Sequence, residues 1–397
     1  MLNVALCFHV HQPYRLGHIR VYDRTACREI FDDALNRAMV ERVTRVCYLP
    51  AGELFCSLIE RYGPDFKIAL SITGTVVEQL RDWAPEAREQ FRKLAGTGSL
   101  EFIGETYYHS LFSLFDREEF VEQVHMHLEM LKDEYDLTPQ VFRNTELLYD
   151  DRVSDYLSAI RQFRVVLCED AAAGCAISGR PCRSYNERHM LLPRNHVLTD
   201  DIAFRFQDRE WSEYPLTAEK FTARLERYYE EGGHDHDRFL LLYMDYETLG
   251  EHILSDSGIF QFFEHLAEII LLHDSMRFVW PSEVSSCNME TLEKLFVKHP
   301  VSWADSKKDH GAWLSSDLQR NAMGTLLEMV SRIRSQGDAD LLETVRRLSS
   351  SDHFYCMFPW KGDADAEVHR HFSSYGSPED AYVRYLNALT VLELHLE

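Results

Sequence analysis

No two of the nine cysteines are spaced as a CxxC pair, and their odd number indicates neither a disulfide framework nor a zinc ribbon. Cys168, Cys175 and Cys182 stand at equal intervals, but that interval matches no common metal-binding pattern. Positive charge is also scarce. With 42 basic against 65 acidic residues and a formal charge of −23, the chain lacks the clustered Lys and Arg that neutralise phosphates, which argues against nucleic acid and against an anionic membrane. No apolar run approaches the roughly 20 residues of a membrane span. The N-terminus, MLNVALCFHVHQPYRL, has no basic leader region and its apolar stretch is broken at His9, so a reducing, cytoplasmic setting is expected. There is no GxGxxG to support a nucleotide fold, no low-complexity tract and no internal repeat. These absences leave a neutral or cationic ligand. Oligomeric state stays open, because surface acids keep a monomer soluble without forbidding a symmetric dimer.

What is present is a large apolar fraction, 45% of 397 residues, enough for one large core or two to three domains. Short β-type runs at 2–8, 66–72, 99–104, 140–143, 164–168, 201–206 and 239–244 alternate with helical patterns at 84–96, 117–135, 217–231 and 257–272. Strand and helix in alternation imply βα units around a parallel sheet, and about seven repeats suit a barrel better than a doubly wound sheet. RFVWP at 277–281 adds a possible strand. Beyond Pro281 the segments METLEKLFVKH, DLQRNAMGTLLEMVSRIRS, ADLLETVRRLSSS and PEDAYVRYLNALTVLELHL read as helices. The expected division is therefore a catalytic barrel over 1–281 and a C-terminal helical region over 282–397. The stretch 171–200 reads as a long excursion between barrel elements.

Chemistry concentrates where the β-type runs end. FLLLYMDYETLG stops at Asp245 and Glu247, and QVFRNTELLYDD delivers Glu146. Strand tips are where α/β barrels carry their reactive groups, and two carboxylates on two tips are the minimum for glycosidic cleavage. Glu146 sits beside Arg143 and Asn144, donors that favour an ionised carboxylate. Asp245 follows a strongly apolar run and has Glu247 nearby, conditions that favour a protonated acid. The first run leads into His9-Val10-His11, which puts two imidazoles on one side of an extended segment. They are candidates either for a divalent metal or for hydrogen bonds to a polyhydroxylated substrate. SLEFIGETYYHSL supplies Glu105, Tyr107, Tyr108 and His109, a mixture of acid, aromatic and imidazole that suits a sugar. His125 and His127 lie mid-helix, where i and i+2 do not face each other, and read as structural. In HPVSWADSKKDHGAWLSSDLQ, Trp303 and Asp305 are candidates for the site, and Trp313 fits either site or core.

Five of these segments, in order, resemble the motifs of glycoside hydrolase family 57, the α-amylase-like, intracellular type: FHVHQP (8–13), FIGETYYHSL (102–111), FRNTELLYDD (142–151), LLYMDYETLGEH (241–252) and SWADSKKDHGAWL (302–314). SDHFYCM (351–357) also resembles the C-terminal part of such members. The resemblance implies an incomplete seven-stranded (β/α)7 barrel followed by an α-helical region that completes the cleft. It also implies a retaining double displacement on α-1,4-glucans (starch, glycogen or maltodextrin) with no metal and no other cofactor. Glu146 matches the family's nucleophile and Asp245 its acid/base; His11, Glu105 and Glu247 match substrate-contacting positions. His9, His109, Trp303 and Asp305 join them by proximity within the motifs. Leu249 stands where these members usually have Phe, and AWLSS replaces AWLGN, differences that bear on subsite shape. Three alternatives stay open: a 4-α-glucanotransferase or branching enzyme on the same fold, a noncatalytic glucan-binding protein, and a metal-dependent barrel hydrolase or deacetylase. The last would use His9 and His11 with a third ligand such as His109 or Asp245.

Overall fold

Every residue of the first strand, β1 (Leu2–Val10), is buried, as expected for a parallel strand covered on both faces. The computed structural model describes residues 1–19, 27–173, 180–231, 237–360 and 365–396. Parallel pairing runs from β1 to β2 (Ile68–Ile72), β3 (Leu100–Gly104), β4 (Val141–Arg143) and β5 (Val165–Glu169). A two-residue strand, β6 (Cys182–Arg183), lies antiparallel on the start of β7 (Met190–Arg194), which pairs in parallel with β5. The last barrel strand, β8 (Arg238–Asp245), pairs with β1 from Leu2↔Arg238 to His9↔Asp245. It meets β7 only at Arg194↔Leu241. The seven strands β1, β2, β3, β4, β5, β7 and β8 thus close a parallel barrel whose thinnest seam is β7–β8. RFVWP contributes Met276–Phe278, which pairs beside the first residues of β1.

Three local expectations are overturned. DIAFRF (201–206) is not a strand: its first residues complete the helix His196–Ala203, which Asn195 caps by accepting from the Leu198 N–H. The barrel strand here is Met190–Arg194, hidden within the presumed excursion at 171–200. METLEKLFVKH is not a helix beyond the single turn Met289–Thr291. It runs extended, with Leu295 and Val297 buried and Phe296 61% exposed between them, the period of two that an extended segment imposes.

The C-terminal helices Asp317–Gln336, Ala339–Arg347, Ser351–Tyr355, Ala366–Phe372 and Pro378–Leu396 share an apolar core with the barrel. Phe142, Val166 and Leu191 pack in one cluster with Leu326, Val330, Tyr385 and Leu389. Trp313 is fully buried in that cluster and is a core residue. The serines of AWLSS have a local reason: Ser316 and Gln319 form a reciprocal capping box at the start of Asp317–Gln336. Ion pairs fix the docking angle. Arg346 and Arg334 both hold the fully buried Glu119 of helix Arg117–Tyr135, and Arg347 reaches Glu78 at 2.8 Å. Removing one partner of such a buried pair costs about 3–5 kcal/mol, because the other charge is stranded. This docking brings Ser351 and Asp352 over the C-terminal ends of the barrel strands. Among the described residues no helix is long and apolar enough to cross a membrane.

Candidate active site

The tip of β1 carries His9 and His11 on one side, as alternation requires. His9 Nδ1 lies 2.9 Å from Ser71 Oγ of β2, and His11 Nδ1 lies 2.9 Å from Thr73 Oγ1. The other nitrogen of His11 meets Asp352, 341 residues later in the chain, at 2.9 Å. His109 stacks on both rings, 4.8 Å from His9 and 4.2 Å from His11. Burial holds His9 and His11 below the usual imidazole range. In His109 burial acts the same way, but hydrogen bonds to Glu105 and Glu146 outweigh it and raise the ring to about 9. Two neutral imidazoles therefore lie against one cationic one.

Glu146 follows β4 and is locked from several directions. Its carboxylate accepts from His109 Nε2 (3.1 Å), Trp303 Nε1 (2.7 Å) and Ser351 Oγ (2.9 Å). Its own carbonyl accepts from Ser302 Oγ at 3.1 Å. Burial pushes this carboxyl up, but His109 and Arg143 outweigh it and hold it below the usual range. Its backbone is left-handed, with φ 56°, as are those of His109 (55°) and Asp305 (56°). Non-glycine residues held this way cost on the order of 1 kcal/mol each and cluster where geometry serves chemistry.

Asp245 ends β8 under opposite conditions. Among the described residues no side chain donates a hydrogen bond to its carboxyl. Burial, reinforced by the charge of Glu146, pushes it up to about 7 against the pull of Arg143, His109 and Arg194. Glu247 is buried one turn on and accepts from Tyr48 Oη at 2.6 Å. Burial and the neighbouring Asp245 raise it to about 8. The charge that adds to burial in raising Asp245 is thus Glu146; Glu247, which FLLLYMDYETLG suggested for that part, is itself raised.

A cavity of about 940 Å³ opens over these tips, lined by His9, His11, His109, Glu146, Asp245, Glu247, Trp303 and Asp305. Eight of the nine expected residues therefore converge on one space. The ninth, Glu105, is fully buried behind it. It faces Arg143 Nη1 at 3.2 Å, His109 Nδ1 at 3.5 Å and His9 Nδ1 at 3.6 Å, so it acts on the cavity through those side chains. Its backbone N–H donates to His127 Nδ1 (3.3 Å), whose Nε2 faces the Ile72 carbonyl oxygen at 2.8 Å; His127 is structural, as its helical position indicated. Trp303 does not offer an open face, since Tyr243, Arg143 and Arg194 pack against its ring. Asp305 accepts from His369 Nε2 at 3.0 Å. Leu249 is fully buried in the barrel's apolar core and does not line the cavity.

Residue patterns missed Asp352, Ser351, Arg194 and Tyr48. Arg194 lines the cavity, pinned by the Tyr243 carbonyl oxygen (2.8 Å), Glu169 (3.2 Å) and Asp200 (2.5 Å). The stretch SDHFYCM was the one signal available for Ser351 and Asp352.

The three stacked histidines offer nitrogens within 4.8 Å of one another, yet they fit a metal poorly. Imidazole binds through an in-plane lone pair, and rings stacked at 16–28° do not converge theirs. Both nitrogens of His11 and Nε2 of His109 are already engaged. A second grouping, Glu169, Asp170 and His196, is already tied to neighbouring side chains, with Arg194 3.2 Å from Glu169 and His196 2.7 Å from Asp170.

Two carboxyls at barrel strand tips, one held below the usual range and one raised to about 7, are the equipment of a glycoside hydrolase. The comparisons agree. The profile of glycosyl hydrolase family 57 matches residues 5–298. Over 408 residues, covering 99% of this chain and 85% of the other, the chain is 35% identical to a Methanocaldococcus jannaschii protein described as "Putative alpha-amylase". Among solved structures, the GH57-type branching enzyme of Pyrococcus horikoshii superposes with a TM-score of 0.69 at 13% identity, covering 97% of this chain and 88% of that one. The 4-alpha-glucanotransferase of Thermococcus litoralis gives 0.64 at 14% identity, covering 98% of this chain and 59% of that one. At such identities the likeness is one of fold. The chain belongs to glycosyl hydrolase family 57 and is a glycoside hydrolase.

Proposed function

We propose that this enzyme hydrolyses α-1,4-glucans such as starch, glycogen or maltodextrin by double displacement, with retention at the anomeric carbon. Glu146 attacks that carbon while Asp245 gives its proton to the departing glycosidic oxygen. Water then enters, loses a proton to Asp245 and releases the sugar from Glu146. The observation that carries this reading is the opposite shift of two carboxyls that face one cavity: Glu146 held ionised, Asp245 raised to about 7. A nucleophile must be charged and a general acid must not be. Trp303, Ser351 and His109 aim the Glu146 carboxylate, and the left-handed backbone keeps it there. His9, His11, Glu247 and Asp305 contact sugar hydroxyls, and Glu105 orients His9, His109 and Arg143. Residues 1–281 act as the catalytic unit and 282–397 as the region that completes the cleft. The free cysteines among the described residues support a reducing, cytoplasmic setting.

The test is product analysis on maltoheptaose, soluble starch and amylose, with Glu146→Gln as control. Shorter oligosaccharides released first as the α-anomer, and lost in the variant, are expected. Initial β-anomers would overturn the retaining mechanism, and products longer than maltoheptaose would make the enzyme a transferase. Activity should survive EDTA; its loss would bring back the metal-dependent reading.

A further inference from the structure

The cavity wall changes character at its mouth. Among the described residues twelve large apolar side chains are exposed, and four of them line this one cavity: Phe204 (68%), Leu254 (56%), Phe372 (45%) and Val368 (43%). They come from separate parts of the chain. Phe204 is the C-cap of helix His196–Ala203, Leu254 follows β8, and Val368 and Phe372 belong to helix Ala366–Phe372 in the C-terminal region. Scattered exposed apolar residues need no explanation, but their convergence on one concavity does.

Deeper in the cavity the aromatics are already engaged. Trp303 is enclosed as described, and Tyr355 stacks on His369 at 3.8 Å. Among the described Phe, Tyr and Trp residues lining the cavity, only Phe204 and Phe372 are exposed. Phe372 is held edge-on by His252 at 5.3 Å and by His371 at 5.0 Å. Gln207, Ser374 and the Arg42–Glu251 pair line the same cavity. Apolar faces together with donors and acceptors suit a sugar chain, whose rings present C–H faces and hydroxyl edges. A cavity of about 940 Å³ lies near the top of the roughly 300–1,000 Å³ range of small-molecule sites, room for several sugar units.

Building on the glucan reading above, we propose that Phe204 and Phe372 are platforms for glucose units lying beyond the cleaved bond, making the enzyme selective for longer α-glucans. Contacts remote from the reacting atoms raise kcat/KM only for substrates long enough to reach them. The quantity to measure is the ratio of kcat/KM for maltoheptaose to that for maltotriose, in wild type, Phe204→Ala, Phe372→Ala and the corresponding Tyr variants. Each Ala variant should lower the ratio about tenfold, and Tyr, which keeps the ring, should restore it. Calorimetry of maltoheptaose with Glu146→Gln protein should show weaker binding once either Phe is also removed. A ratio unmoved by both Ala changes, or an equal loss on both substrates that Tyr does not rescue, overturns the platforms. If wild type cleaves no α-glucan, the glucan reading itself fails; if it cleaves them with an unmoved ratio, only the platforms do.

Discussion

The tips of β4 and β8 face one cavity and each presents a carboxyl, yet they are built on opposite plans. At β4 the chain surrounds Glu146 with donors: an imidazolium, an indole N–H and a hydroxyl, with the Arg143 guanidinium close by. At β8 Asp245 receives no donor from a described side chain and lies against Glu146's charge. Burial alone would raise both carboxyls. What separates them is whether the ionised form is hydrogen-bonded, the distinction on which acid/base assignments rest. A barrel can thus hold one carboxyl below the usual range and a similar one above it by placing donors at one tip only.

The largest effect that could break this contrast is loss of either carboxyl. Glu146→Gln and Asp245→Asn should each lower kcat by about 10⁴-fold or more, the scale for removing a group the reaction depends on. Their Ala forms should differ with added azide. With Glu146→Ala the anion attacks directly and yields a β-glycosyl azide, while with Asp245→Ala it replaces water in the second displacement and yields the α-form. NMR of the product decides, and the same anomer from both variants would erase the proposed division of roles.

A smaller change should move both tips together. His109→Gln removes a cation that holds Glu146 down and also opposes the rise of Asp245. Both limbs of the kcat/KM–pH profile should shift to higher pH, from an alkaline limb near 7 in the wild type, and kcat should fall about 10–100-fold. If only the acid limb moves, His109 serves Glu146 alone.

How much of this could be read from residues follows the reach of local patterns. Six of the seven barrel strands announced themselves as apolar runs, and the two carboxyls stood at strand ends with their neighbourhoods visible in FRNTELLYDD and LLYMDYETLG. β7 did not, because MLLPR carries Pro193 and Arg194 inside a polar stretch, while the alternation in DIAFRF imitated a strand at the end of a helix. METLEKLFVKH has helical spacing, but Leu295 bonds to the Arg183 carbonyl oxygen and Val297 to Asp151, and those long-range partners decide its conformation. Asp352 and Ser351 reach His11 and Glu146 only through docking of the C-terminal helices. No periodicity encodes a partner 341 residues away.

The smallest effect is on stability, and there the two tips should differ in sign. Asp245 binds its proton more tightly in the folded state, about 7 against an ordinary 3.8. Between those values the folded state carries the extra proton, so this residue's contribution to stability falls as pH rises and becomes a fixed penalty above about 7. Asp245→Asn lacks that penalty. It should match wild type in stability near pH 4 and exceed it at pH 8, by up to about 4 kcal/mol. Glu146 is lowered instead, so its contribution is fully present above the ordinary carboxyl range and is lost as pH falls below that range through the residue's own lower value. Glu146→Gln should therefore melt below wild type at pH 8, with a gap that narrows on acidification. Calorimetric melting of both variants from pH 8 down to about pH 2 sharpens the comparison, because Asp245→Asn should part from wild type as pH rises above the ordinary carboxyl range, while Glu146→Gln should close on it only as pH falls below that range. Two variants shifting the same way would mean that burial, not the distribution of donors, governs both carboxyls.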